Sequence, residues 1–101
     1  MDVTASETAA VVPVAGNLDI ATVPGLEDTV AEALATASGV VLDLSAVDLC
    51  DSTGLGALVR LHRRARAGGK TFVLRDPRHQ VAEVLAMTGI NKVIPVVSTQ
   101  D

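Results

Sequence analysis

The chain is almost without aromatic side chains. It has no Trp and no Tyr, and Phe72 is the only ring among 101 residues, so aromatics make up 1% of the composition. That absence excludes base-stacking platforms for single-stranded nucleic acid, aromatic cages for quaternary ammonium groups and interfaces anchored on Trp or Tyr. Cysteine is equally scarce. The lone Cys50 has no partner for an intramolecular disulfide and no companion ligands for a zinc site, and a free thiol suits a reducing compartment. Excess positive charge is lacking too: the formal net charge is −4, the wrong sign for sequence-independent binding to DNA or RNA. No apolar run approaches the roughly 20 residues of a membrane span. The first residues, with Asp2 and Glu7 and no basic segment, do not read as a secretory signal. The expectation is one cytoplasmic domain over 1–101, with no direct nucleic-acid or membrane partner.

Aliphatic residues are plentiful. Hydrophobic residues make up 49% of the chain, chiefly 16 Val, 15 Ala and 11 Leu, so the core must be built from small branched side chains. The apolar period switches between strand and helix several times, which predicts an α/β domain. Thr8 to Val14 reads as a strand with Pro13 at an edge or end, and Gly16-Asn17 as a turn. Thr22 is a candidate N-cap for a helix whose face carries Leu26, Val30, Ala33, Leu34 and Ala37, with Gly39 as its terminator. Val40 to Leu44 is nearly continuous and apolar, as in a central parallel strand. Ser45 to Asp51 reads as a loop, and a second helix runs from Ser52 to Gly68-Gly69. Lys70 to Arg75 is a strand with Phe72 as a core residue. Asp76-Pro77 is a cap and first-turn pair for a third helix that stops at Gly89, and Ile90 to Val97 is a last strand.

The stretch Asp51-Ser52-Thr53-Gly54-Leu55-Gly56 joins a buried strand to a helix start, where open α/β sheets carry function. Ser52 and Asp51 are both good caps. Gly54 and Gly56 each cost a helix up to about 1 kcal/mol against Ala, so their missing side chains point to close approach, here read as approach by a partner backbone. A nucleophile-elbow reading fails, because Cys50 stands where its first glycine belongs and His79 and Asp76 sit together at one helix start. Gly69-Lys70-Thr71 ends like a phosphate-binding loop, but in helix-then-strand order. Gly54-x-Gly56 has Val59 where a dinucleotide fold needs a third glycine. His62 reads as a packing residue and His79 as a solvent-facing one. Arg60, Arg63, Arg64 and Arg66 form a solvated face suited to an acidic partner.

At Asp51-Ser52-Thr53-Gly54-Leu55-Gly56 the sequence resembles the STAS domain family, and within it the stand-alone anti-sigma factor antagonists. Gly16-Asn17-Leu18-Asp19, Val41-Leu42-Asp43-Leu44 with Val47-Asp48, Gly68-Gly69-Lys70 and Val81-x-x-x-Leu85-x-x-x-Gly89 extend the resemblance over about residues 8 to 97. It implies a mixed β-sheet with helices packed on it, here without the final helix usual in the family. It implies a non-enzymatic protein that binds no cofactor. It also implies a partner switch: an anti-sigma factor serine kinase uses ATP to phosphorylate Ser52, the unphosphorylated form binds that kinase and frees its sigma factor, and a PP2C-type phosphatase reverses the mark. Asp19 and Asp51 match partner-interface positions, with Ser52, Thr53, Gly54, Leu55 and Gly56 around them. The alternative is a STAS scaffold or ligand-binding subunit of a signalling or transport complex that is not phosphorylated.

Overall fold

In the computed structural model, which describes residues 8–99, four strands and three helices alternate along the chain. They are β1 (Ala10–Leu18), α1 (Val23–Thr36), β2 (Gly39–Cys50), α2 (Ser52–Ala67), β3 (Thr71–Arg75), α3 (His79–Met87), a 3-10 turn (Ile90–Lys92) and β4 (Val96–Val97). The sheet order is β1-β2-β3-β4, and every pairing among the described residues is parallel. The mixed sheet expected from the resemblance is therefore a parallel one here. No helix follows β4 among the described residues. The Asp2 and Glu7 segment lies outside them.

Sequential strand order with right-handed crossovers places all three helices on one face. One core results: Val40, Leu42, Leu44 and Val47 of β2 and Leu74 of β3 are sealed from solvent, packed with Val30, Leu58, Val81, Leu85 and Ile94. Alternation sends Val11, Val41 and Val73 to the other face in one row, and Pro13, Asp43 and Arg75 in the next. There Arg75 Nη2 donates to Asp43 Oδ2 at 3.0 Å. The Ser45 N–H and hydroxyl and the Arg75 guanidinium hold the Asp43 carboxyl down to about 2.

Several boundaries differ from the sequence reading, each for a tertiary reason. β1 does not stop at Val14 and residues 45–50 are not a loop. The two strands keep pairing through Ala15↔Ala46 and Leu18↔Cys50, across bulges that absorb the Gly16-Asn17 region. Gly39 opens β2 instead of closing α1, whose C-cap is Ala37. Asp76-Pro77 does not cap α3. Asp76 is held at φ +54, and its carboxylate accepts from the Thr99 N–H and hydroxyl, tying the end of β3 to the tail. α3 starts two residues later and stops before Gly89 at φ +77. Ile90 to Val97 is not one strand, because the 3-10 turn and the buried Ile94 come first and only Val96–Val97 pairs with β3.

Other expectations hold. Phe72 is 2% exposed, and His62, 7% exposed, packs edge-on against it with ring centres 6.1 Å apart. Burial, and secondarily the Arg66 charge, lowers the His62 pKa below its ordinary value. An unfolded His takes up a proton near pH 6.5, while the folded one resists it. The unfolded state then binds more protons, so stability is full above about pH 6.5 and falls as pH drops below it. Urea unfolding at pH 7.5 and 5.5 should show that loss in the wild type and a smaller one in His62→Leu. Equal losses would remove His62 as its source.

Candidate functional site

Register brings the two candidate loops together. Leu18 ends β1 opposite Cys50, and the Asp51 N–H donates to the Leu18 carbonyl at 3.2 Å. Asp19 and Asp51 thus leave adjacent strands side by side. Their chemistry is local, however. The Asp19 carboxylate accepts from the Ala21 and Thr22 N–H groups at 3.0 and 3.2 Å, and the Thr22 hydroxyl takes the Asp19 N–H at 3.0 Å. That reciprocal pair starts α1 in the manner of a capping box. Thr22 occupies the cap position, but the carboxylate that satisfies the backbone is Asp19's.

The same division of labour governs Ser52. Asp51, in extended backbone, is the N-cap of α2, and its Oδ1 accepts the Gly54 N–H at 3.0 Å. Ser52 is the first helical residue. It is exposed, and its hydroxyl has no hydrogen-bond partner among the described residues. Losing the Asp51 cap costs about 1 kcal/mol, or about 4–8 °C of melting temperature in a domain this small. Thermal melts should show that loss in Asp51→Ala, with Ser52→Ala within about 0.5 kcal/mol of wild type. The reverse ranking would make Ser52 the cap.

The two glycines separate. Gly54 is buried, and a Cβ there would lie 2.5 Å from the Leu18 carbonyl oxygen and 2.8 Å from Leu18 Cβ. Its empty side is filled by β1, so the reading of Gly54 as a partner contact is corrected. Leu55 is half-buried and packs against the core. Gly56 stays open. A Cβ there would meet only Arg60 Nη1, at 3.4 Å, where the guanidinium folds back toward the helix start and holds Glu27 of α1 at 3.2 Å. Thr53 is half-buried.

Four residues at this end of the sheet escaped the sequence reading. Arg78 donates to Asp48 Oδ1 at 2.6 Å and to the Ser45 carbonyl at 2.8 Å, and the Gln80 side chain donates to the Asp48 carbonyl at 3.2 Å. Asp48 is therefore charge-paired, and α3 is pinned to the end of β2. Ile20 and Leu49 are 78% and 60% exposed. Each follows an acidic residue, Asp19-Ile20 just after β1 and Asp48-Leu49 near the end of β2.

Ser52 has no catalytic company. His62 is buried against Phe72, and His79 is an exposed residue 3.5 Å from Glu83. Burial, followed by the Asp51 charge, pushes the Cys50 thiol up to about 11, away from a reactive thiolate. The site is a surface: a free hydroxyl at a helix start, flanked by two carboxylates and two exposed aliphatic residues.

A family profile described as "Mlab, STAS domain" matches residues 1–97. An anti-sigma factor antagonist from Mycobacterium paratuberculosis is 32% identical, with a TM-score of 0.70 over 90% of this chain and 78% of that one. The antagonist SpoIIAA in its unphosphorylated form superimposes with a TM-score of 0.62 at 18% identity, over 82% of this chain and 86% of its own. The STAS domain of a SulP transporter from Vibrio cholerae gives 0.72 at 22% identity, over 88% and 72%. No helix of the described residues is long and apolar enough to cross a membrane. With the profile spanning nearly its whole length and the parallel α/β fold in place, the chain belongs to the STAS domain family.

Proposed function

We propose that the protein is a cytoplasmic anti-sigma factor antagonist, switched by phosphorylation of Ser52. The observation that carries this reading is the Ser52 hydroxyl, exposed at the start of α2 and relieved of capping duty by Asp51. A kinase can modify it without removing anything the fold needs. The 32% identical antagonist supports the role. In the transfer, an O–P bond forms at Ser52 Oγ as the terminal phosphoanhydride bond of ATP breaks, and ADP and a proton leave. ATP belongs to the partner, an anti-sigma factor serine kinase. The domain is the substrate and contributes no catalytic group. The unphosphorylated form binds the kinase and displaces its sigma factor, and a PP2C-type phosphatase restores that form.

Incubation with the kinase and ATP should add one phosphate, read by mass spectrometry, and Ser52→Ala should take none. Failure of every anti-sigma factor kinase from the source genome to modify the wild type would overturn the switch. Tight binding unaffected by Ser52→Asp would instead assign the domain to the scaffold role, a possibility kept open by the fold it shares with a transporter's STAS domain.

A further inference from the structure

The exposed face of α2 does not end at Ser52. At about 100° per residue, Arg63 comes within about 20° of Ser52 around the helix, and Gly56, Val59 and Arg66 lie within about 40°. The buried residues Leu58, Leu61 and Ala65 occupy the opposite side. One stripe therefore runs from Ser52 over the open Gly56 and the half-buried Val59 to Arg63 and Arg66. It is about 21 Å long at 1.5 Å per residue. Arg64 flanks it on the side of α1, where it shares a shallow cleft with Ala31, Leu34 and Ala35. Of the four helix arginines, only Arg60 has a carboxylate, Glu27. Arg63, Arg64 and Arg66 are exposed, and none has an ion-pair partner among the described residues. In a chain of net charge −4, Arg63 and Arg66 put unpaired positive charge on the Ser52 face, and Arg64 adds to it from about 120° around the helix, on the α1 side.

We infer that the α2 stripe from Ser52 to Arg66 is one docking surface for an acidic protein, the arginines meeting a carboxylate patch on the partner that engages Ser52. This rests on the antagonist reading. A standard interface covers about 800 Å² per partner, a patch roughly 30 Å across, so one footprint spans both ends. The charge pattern selects a folded protein. Asp19 and Asp51 stand at the Ser52 end and the free arginines at the other. A uniform polyanion such as nucleic acid or an anionic lipid surface matches only half of the stripe, whereas a protein with the opposite polarity matches all of it. Arginines at the rim act mainly on encounter rate.

The test is association kinetics with each purified anti-sigma factor kinase of the source genome. The variants are Arg63→Gln, Arg64→Gln and Arg66→Gln combined, with Arg60→Gln as a single-charge control on the same helix, all checked for folding by thermal melt. Neutralising the three should slow association about tenfold at low salt, leaving dissociation nearly unchanged. The difference should vanish near 0.5 M salt, where the Debye length is about 4 Å. Arg60→Gln, which removes one charge where the triple variant removes three, should change the rate by no more than about twofold. Unchanged association of the triple variant, with the wild type binding, overturns the stripe and leaves the antagonist role standing. A wild type that binds none of the kinases overturns both. Tighter wild-type binding to duplex DNA or phosphatidylglycerol vesicles than to any kinase, lost in the triple variant, overturns the protein-partner assignment.

Discussion

Phosphorylation of Ser52 should weaken binding of the anti-sigma factor kinase by about 30-fold to several thousand-fold and leave the free domain's melting temperature within a few degrees. The two halves have different physical origins. A phosphate adds about −1.5 to −2 charge at neutral pH. In the free domain that charge sits at the first residue of α2, where unpaired first-turn N–H groups and the helix dipole favour an anion. Among the described residues the Ser52 hydroxyl makes no bond that the phosphate would break. In the complex the same charge is caught between the partner and two carboxylates, Asp19 and Asp51. An unpaired interface charge costs roughly 2–5 kcal/mol, and each 1.4 kcal/mol is about tenfold in affinity. No conformational change is required. Titration calorimetry with the phosphorylated protein and Ser52→Asp, beside melts of the same samples, reads both halves. Loss of affinity with a collapse in melting temperature would replace exclusion by unfolding as the mechanism, and unchanged affinity would end the switch.

What the sequence made legible follows the range of the forces involved. The start of α2 was visible because capping acts over three residues, and Asp51 and Ser52 were both candidates for it. The central strand was visible from Val40 to Leu44 by its apolar run, but it is sealed on one face only: Val40, Leu42 and Leu44 are buried, while Val41 and Asp43 face the uncovered side. His62 and Phe72 were placed correctly in the core because helix period and strand alternation are local. Contacts made across the fold were hidden. Nothing near Asp76 announces that Thr99, 23 residues on, will take its carboxylate and cancel its capping role. Asp48 looks like loop chemistry until Arg78 reaches it from 30 residues away. Residues 45–50 hold only Ser45 and Asp48 as polar residues, and pairing with β1 shows the stretch to be strand. The serine was readable as a candidate site from its hexamer. The exposure of Ile20 and Leu49 became visible only in the structure, where the ends of β1 and β2 leave them in solvent.

The glycines of the hexamer supply the sharpest contrast. Gly54→Ala should destabilise the domain by about 2 kcal/mol, while Gly56→Ala should leave it unchanged or raise stability by up to about 1 kcal/mol. Alanine is the better helix former at both positions, so propensity alone predicts two gains. At Gly54 the added methyl would lie 2.5 Å from the Leu18 carbonyl oxygen, 2.8 Å from Leu18 Cβ and 3.0 Å from Cys50 Sγ. Two of those contacts are to backbone or to a Cβ fixed by it, so no rotamer change relieves them. The start of α2 must move away from β1, straining the Asp51 N–H bond to the Leu18 carbonyl at 3.2 Å. Overpacking of that kind costs typically about 1–3 kcal/mol, and more where the obstacle is rigid. At Gly56 the only neighbour is the tip of a flexible arginine at 3.4 Å, which can swing aside. Two kcal/mol corresponds to roughly 8–16 °C in a domain of about 100 residues, well within the reach of a thermal melt. Matching losses at both glycines would return them to a single role, and a Gly54→Ala protein as stable as wild type would show that β1 and α2 do not meet as closely as these distances require. Gly56→Ala, folded and stable, should still weaken kinase binding, because its methyl stands on the open side of the helix where the partner backbone approaches.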